Sequence, residues 1–164
     1  MSKIKELLKD KNSVLVFDID GVLSLLEFGE YNHYYASDED WDKFVNNDNN
    51  LYTEDKVSKK MQGFLKNIDK NRVYVITAIG VNKEGDYKKE FVRKYYDIKP
   101  DNVYFVDRNN DKVSKLIEIK NKHPEIQDYQ LIMIDDTPDV LTEVQNKTNF
   151  STAHVSSFLD ISIW

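Results

Sequence analysis

Val14-Leu15-Val16-Phe17-Asp18-Ile19-Asp20-Gly21-Val22-Leu23 decides the reading of this chain, because an apolar run stops abruptly at two carboxylates one residue apart. Val14 to Phe17 is continuous and rich in β-branched residues, the pattern of a strand covered on both faces in a parallel sheet. In open α/β sheets ligands bind at the carboxyl ends of the strands, so Asp18 and Asp20 are expected at the mouth of a crevice, with Gly21 letting the backbone turn away.

Outward from that run, strands and helices alternate. Residues 1 to about 10 form a short helix with Ile4, Leu7 and Leu8 on one side, and the first strand follows at about 13–17. From Ser24 to Thr53 both periodicities fade. That stretch reads as a long insertion, and its seven aromatics (Phe28, Tyr31, Tyr34, Tyr35, Trp41, Phe44 and Tyr52) favour an ordered flap over a disordered loop. A helix at about 55–68 carries Val57, Met61, Phe64, Leu65 and Ile68 at helical spacing. Val73-Tyr74-Val75-Ile76 is a second strand ending at Thr77, followed by a loop with Gly80 and Gly85 and a helix at about 85–96. Pro100 opens a third strand, Val103 to Val106, which ends at Asp107. A helix at about 112–121 leads to a fourth, Leu131 to Ile134, ending at Asp135-Asp136. Thr137 and Pro138 suit an N-cap and first helical position for a helix to about 145, and a last short strand lies near 150–155. The expected fold is α/β, a three-layer Rossmann-like parallel sheet with helices on both faces and a small insertion after the first strand. One domain over 1–164 is expected, with an acidic, aromatic-rich flap at about 24–54.

Composition narrows the function classes. With no cysteine, disulfide frameworks, zinc-thiolate sites and thiol nucleophiles are excluded, and a reducing, cytoplasmic setting is expected. The first residues are amphipathic rather than a continuous apolar signal segment, and no run approaches the roughly 20 apolar residues of a membrane span, so no membrane partner is expected. Net charge is −6, yet Glu27 to Asp55 alone holds nine acids against Lys43, leaving the rest near +2. An acidic flap argues against a long nucleic-acid groove, since phosphate neutralisation supplies most non-specific affinity for nucleic acid.

Four strand ends carry polar groups: Asp18 and Asp20, Thr77, Asp107, and Asp135 with Asp136. A parallel sheet brings them to one edge. Lys112 joins them at a helix start, where it opposes the macrodipole and needs another partner to hold it.

At these residues the chain resembles the haloacid dehalogenase superfamily of phosphotransferases, in its small-cap or capless phosphatase form. Phe17 to Leu23 is similar to the first motif, Ile76-Thr77 to the second, Lys112 to the third and Ile134-Asp135-Asp136 to the fourth, in the family's order. The resemblance implies a phosphomonoester hydrolase in which Asp18 is the nucleophile that forms an aspartyl-phosphate and Asp20 the general acid and base. It implies one Mg²⁺ held by the Asp18 side chain, the Asp20 backbone carbonyl and Asp135 with help from Asp136, and phosphoryl oxygens held by Thr77 and Lys112. Clustered carboxylates repel one another and a phosphate dianion, and a hard divalent cation resolves that conflict.

Plainer readings stand beside these. Strand-end acids often cap helices, and Asp107 suits a loop or cap; Thr77 also suits an ordinary strand end. Lys115, one turn later, competes with Lys112 as the phosphate-binding lysine, and Asp136 could ligate directly, act through water or cap the helix at Pro138. His33 reads as a solvated loop residue, while His123 and His154 suggest no metal site. Val22 stands where many relatives carry Thr. Ala78-Ile79-Gly80 lacks the Gly-Arg of the phage-type polynucleotide kinase/phosphatase branch, so a small phosphorylated metabolite, nucleotide or sugar phosphate leads as substrate. A nucleic-acid 3′-phosphate end, or a non-catalytic regulatory binder on the same fold, is the alternative. The flap, at about 30 residues, is smaller than the caps that enclose small metabolites, and this pulls towards larger substrates. A receiver domain would carry its acidic pair after the first strand and its acceptor Asp after the third, the reverse of the order here.

Overall fold

The computed structural model describes residues 3–25, 36–108 and 112–159. Five strands form one sheet: β1 (Val14–Phe17), β2 (Val73–Ile79), β3 (Val103–Asp107), β4 (Leu131–Asp135) and β5 (Ser151–His154). Their order is β3-β2-β1-β4-β5, and every neighbouring pair is parallel. Among the described residues, six α-helices connect and flank them: α1 (Lys3–Lys9), α2 (Asp38–Asn46), α3 (Lys59–Leu65), α4 (Asn82–Tyr96), α5 (Val113–Lys122) and α6 (Pro138–Lys147).

The unbroken apolar strands follow from burial on both faces. Leu15 and Phe17 of β1, Val73 and Val75 of β2, and Ile132 and Ile134 of β4 enter one core with Leu8 of α1, Met61 and Phe64 of α3, and Phe91 and Val92 of α4. The alternate residues Val14, Val16, Tyr74, Ile76, Leu131 and Met133 enter a second core with Val113, Leu116 and Ile119 of α5 and Leu141 and Val144 of α6. The period of two sorts each strand between two helical layers.

Chain order fixes where the crevice opens. From β1 the chain builds outward through β2 and β3, then returns to place β4 on the other side of β1. The carboxyl ends of β1 and β4 therefore flank the point where the connections diverge, the position at which open α/β sheets hold ligands. Phe17 pairs with Ile134, and the Asp18 amide donates to the Ile134 carbonyl at 2.9 Å, so Asp18 lies beside Asp135 by register alone.

Several boundaries differ from the sequence reading. The stretch read as aperiodic contains α2, with Ser37 as N-cap accepting from the Asp40 amide and three acids in the first turn. Capping and the macrodipole favour this helix, while only Trp41 and Val45 are buried, too short a stripe to register as a period. β2 runs on to Ile79, because β3 pairs with it as far as Ile79 opposite Asp107, so Thr77 lies inside the strand. Gly85 belongs to α4 rather than to a loop, and a Cβ there would sit 2.9 Å from the Phe105 ring, which explains why the helix packs so closely on β3. α3 is shorter than expected; Val57 and Ile68 enter the core from flanking turns. Pro100 starts a 3₁₀ turn that precedes β3. Phe28, Tyr31, Tyr34 and Tyr35, with His33, lie outside the described residues.

Phe91 is the central aromatic of the first core, with the rings of Tyr52, Tyr95 and Tyr96 at 5.4 to 6.0 Å from its own. Phe91→Ala should destabilise the fold by about 3–5 kcal/mol, read as a lowered urea midpoint at unchanged slope.

Candidate active site

Asp18 and Ile19 follow β1 directly, and the turn beyond them is built tightly. Gly21 adopts φ +74°, and a Cβ there would run into the Asp136 carboxylate. The turn is anchored from the helical layer, where the Tyr96 hydroxyl donates to the Leu23 carbonyl at 2.5 Å and accepts from the Ser58 amide at 3.0 Å.

Carboxylate oxygens of Asp18, Asp135 and Asp136 all lie within 4.8 Å of one another. Each is oriented by its own loop. The Ile19 amide donates to Asp18 Oδ1 at 2.8 Å, the Thr137 amide to Asp135 Oδ1 at 2.9 Å, and the Thr137 hydroxyl to Asp136 Oδ1 at 3.3 Å. His154 braces the same loop from β5. Its Nδ1 accepts the Ser156 amide, which puts the proton on Nε2 for donation to the Asp136 carbonyl at 3.1 Å.

Lys112 is the N-cap residue of α5, and its ammonium sits 3.1 Å from Asp18 Oδ2 and 2.8 Å from Asp135 Oδ2. The two carboxylates supply the partner that its unfavourable position at a helix start requires. Burial alone would depress the ammonium, but the charges of Asp18 and Asp135 outweigh that and hold it above its ordinary value. Lys115 instead pairs with Glu118 on the surface at 3.1 Å. Asp135 is fully buried, and burial together with the neighbouring Asp18 charge pushes its carboxyl up to about 6 despite Lys112.

The Asp20 carboxylate is outside that triad. Its Oδ2 lies 2.7 Å from Lys88 Nζ, and its Oδ1 accepts from the Tyr52 hydroxyl at 3.0 Å. Lys88 also meets Glu84 at 3.0 Å, the Ala78 carbonyl at 2.6 Å and Thr77 Oγ1 at 3.2 Å. Burial would lower the Lys88 ammonium, yet the charges of Asp20 and Glu84 raise it overall, so it stays charged although only 1% exposed. Burial first, then the Asp20 and Glu84 charges, hold the Tyr52 phenol neutral far above its ordinary range.

The structure thus gathers Asp18, Lys112, Asp135 and Asp136 directly and joins Asp20 to Thr77 through Lys88. Asp107 ends β3 and is exposed. His123 bonds the Tyr74 hydroxyl at 2.8 Å. A crevice of about 250 Å³ opens between the two groups, with Asp18, Asp20, Lys88, Asp136, Trp41 and Arg108 in its lining. Arg108 ties α2 to its mouth through Asp42 at 2.6 Å and Asp38 at 3.3 Å.

Sequence reasoning missed Lys88, Glu84, Tyr52 and Arg108. A signal existed for two of them. Glu84 and Lys88 stand one turn apart on the α4 stripe that continues through Phe91 and Val92, and charged residues on a buried stripe need a polar reason to be there.

No family model and no curated protein matches the sequence. Among solved structures, DsGPDH of Dunaliella salina superposes with a TM-score of 0.58 at 15% identity over 93% of this chain. The chain spans 25% of the length of that protein, so one part of a longer polypeptide shares this fold. The HAD domain of the effector protein Lem4 from Legionella pneumophila aligns over 87% of this chain and 84% of its own, at 13% identity and a TM-score of 0.47.

A carboxyl whose native pKa is raised contributes stability below its unfolded value and loses it as pH rises through the native one. For Asp135 that window runs from 3.8 to about 6. Wild type should gain stability relative to Asp135→Asn, on the order of 2 kcal/mol, as metal-free protein is taken from pH 7 to pH 4, measured by urea unfolding at each pH.

Proposed function

We propose that this chain is a Mg²⁺-dependent phosphomonoester hydrolase acting through an aspartyl-phosphate on Asp18. One observation carries the reading: three carboxylates from the adjacent ends of β1 and β4 converge within 4.8 Å beside a buried lysine.

The donor set fits a hard divalent cation: Asp18, Asp135 and Asp136 offer only carboxylate oxygens, and burial together with the Asp18 charge pushes the Asp135 carboxyl up despite Lys112, a cost that a bound cation would relieve. Those three residues would hold Mg²⁺ with the Asp20 backbone carbonyl, and the bound ion would neutralise the cluster and draw charge from the phosphoryl oxygens. Asp18, fixed by the Ile19 amide, is aimed as nucleophile; its oxygen bonds to phosphorus as the ester P–O bond breaks. Asp20 gives a proton to the departing oxygen and then takes one from the water that hydrolyses the intermediate. Lys112 balances charge at phosphorus. The Thr77 hydroxyl, which accepts from Lys88, keeps its own hydrogen for a phosphoryl oxygen.

Size and charge support a small substrate. The crevice volume of about 250 Å³ falls near the lower end of small-molecule sites, and acidic α2 stands at its mouth, where a polyanion would be repelled. Among the described residues no helix is long and apolar enough to cross a membrane.

Asp18→Asn should lower hydrolysis of p-nitrophenyl phosphate at least about a thousandfold while leaving the circular dichroism spectrum unchanged. Chelation with EDTA should abolish wild-type turnover and added Mg²⁺ restore it. An Asp18→Asn protein that still turns over the ester would overturn the assignment.

A further inference from the structure

The Asp20 carboxylate is held at both oxygens by residues from two different parts of the chain. Lys88 of α4 contacts Oδ2 at 2.7 Å, and Tyr52 of the insertion donates to Oδ1 at 3.0 Å. We propose that Lys88 and Tyr52 are positioning residues for Asp20, fixing the plane of its carboxyl group so that the proton it carries meets the leaving oxygen; this rests on the hydrolase reading above.

The geometry separates this role from simple packing. A lysine at 1% exposure has lost its hydration, so its three hydrogens must all be satisfied, and here they are shared among Asp20, Glu84, the Ala78 carbonyl and Thr77. Glu84 is itself held, its Oε2 accepting the Gly80 amide at 2.9 Å, so Lys88 is braced from the backbone end of β2 rather than swinging freely. Tyr52 is equally constrained, its ring edge-on to Phe91 at 6.0 Å with the Lys88 ammonium 5.5 Å from its centroid. Two rigid donors on one carboxylate leave little freedom about its terminal torsion, which is otherwise broad. A carboxylate oxygen has two lone pairs, so accepting one hydrogen bond does not exhaust its capacity. Preorganisation of this kind matters because a displacement of about 1 Å at a proton-transferring group costs about a hundredfold in rate.

A general acid matters most for a poor leaving group, so the ratio of rates for two esters reports on Asp20 specifically. The test compares kcat/KM for p-nitrophenyl phosphate and phenyl phosphate, with Mg²⁺, in wild type, Tyr52→Phe, Lys88→Met and, as a purely structural control, Phe64→Leu. Tyr52→Phe removes one oxygen and keeps the ring, so it remains informative even if Lys88→Met does not fold. In Tyr52→Phe, and in Lys88→Met where it folds, phenyl phosphate should lose about tenfold more than p-nitrophenyl phosphate. Phe64→Leu, a change in the first core where the Phe64 ring packs edge-on against Phe158, should lower the Tm and keep the wild-type ratio. Equal losses on both esters in Tyr52→Phe, or a ratio widened as much by Phe64→Leu, would reduce the network to a structural staple and overturn the proposal. Wild type inactive on both esters would overturn the hydrolase reading itself, and this inference with it.

Discussion

Parallel pairing of β1 with β4 is the constraint from which the site follows. Once Phe17 lies opposite Ile134, the next residue on each strand is an aspartate, and two carboxylates meet at the edge of a dry sheet. Such a meeting is unfavourable on its own. Lys112 relieves part of it and Asp136 adds to it, leaving a cluster of carboxylate oxygens that could hold a cation. The apolar core that makes β1 and β4 stable is the same feature that makes the acid cluster poorly solvated.

A second cluster repeats the arrangement on the other side of the crevice with different parts. Lys88 bridges Asp20 and Glu84 much as Lys112 bridges Asp18 and Asp135. The two lysines come from opposite helical layers, one from α4 and one from the start of α5. Each carries a pair of acids, and the carboxylates at the tip of β1 are divided between them. Asp18 and Asp20, two residues apart, are thereby held in separate electrostatic surroundings.

The parallel sheet was legible because both of its faces are buried, so Val14 to Phe17 and Leu131 to Ile134 read as unbroken apolar runs bounded by acids. Asp18, Lys112, Asp135 and Asp136 could be named because each sits at an element boundary, where a polar residue after an apolar run stands out. Lys88 and Tyr52 could not be found by that rule. They lie within elements, and what makes them notable is the absence of water around them, a property of tertiary packing. α2 escaped for a related reason: its helix is set by the Ser37 cap and first-turn acids, while its apolar stripe is only two residues long. The haloacid dehalogenase resemblance rests on four short motifs, and the likeness to DsGPDH at 15% identity concerns the fold alone.

Tyr52 makes the insertion part of the core rather than an appendage to it. Here one hydroxyl from that segment reaches back to the Asp20 carboxylate at the tip of the first strand. Any change to the flap that moves Tyr52 therefore also moves the Asp20 carboxylate, so the shape of the insertion and the geometry at the tip of β1 are one mechanical unit.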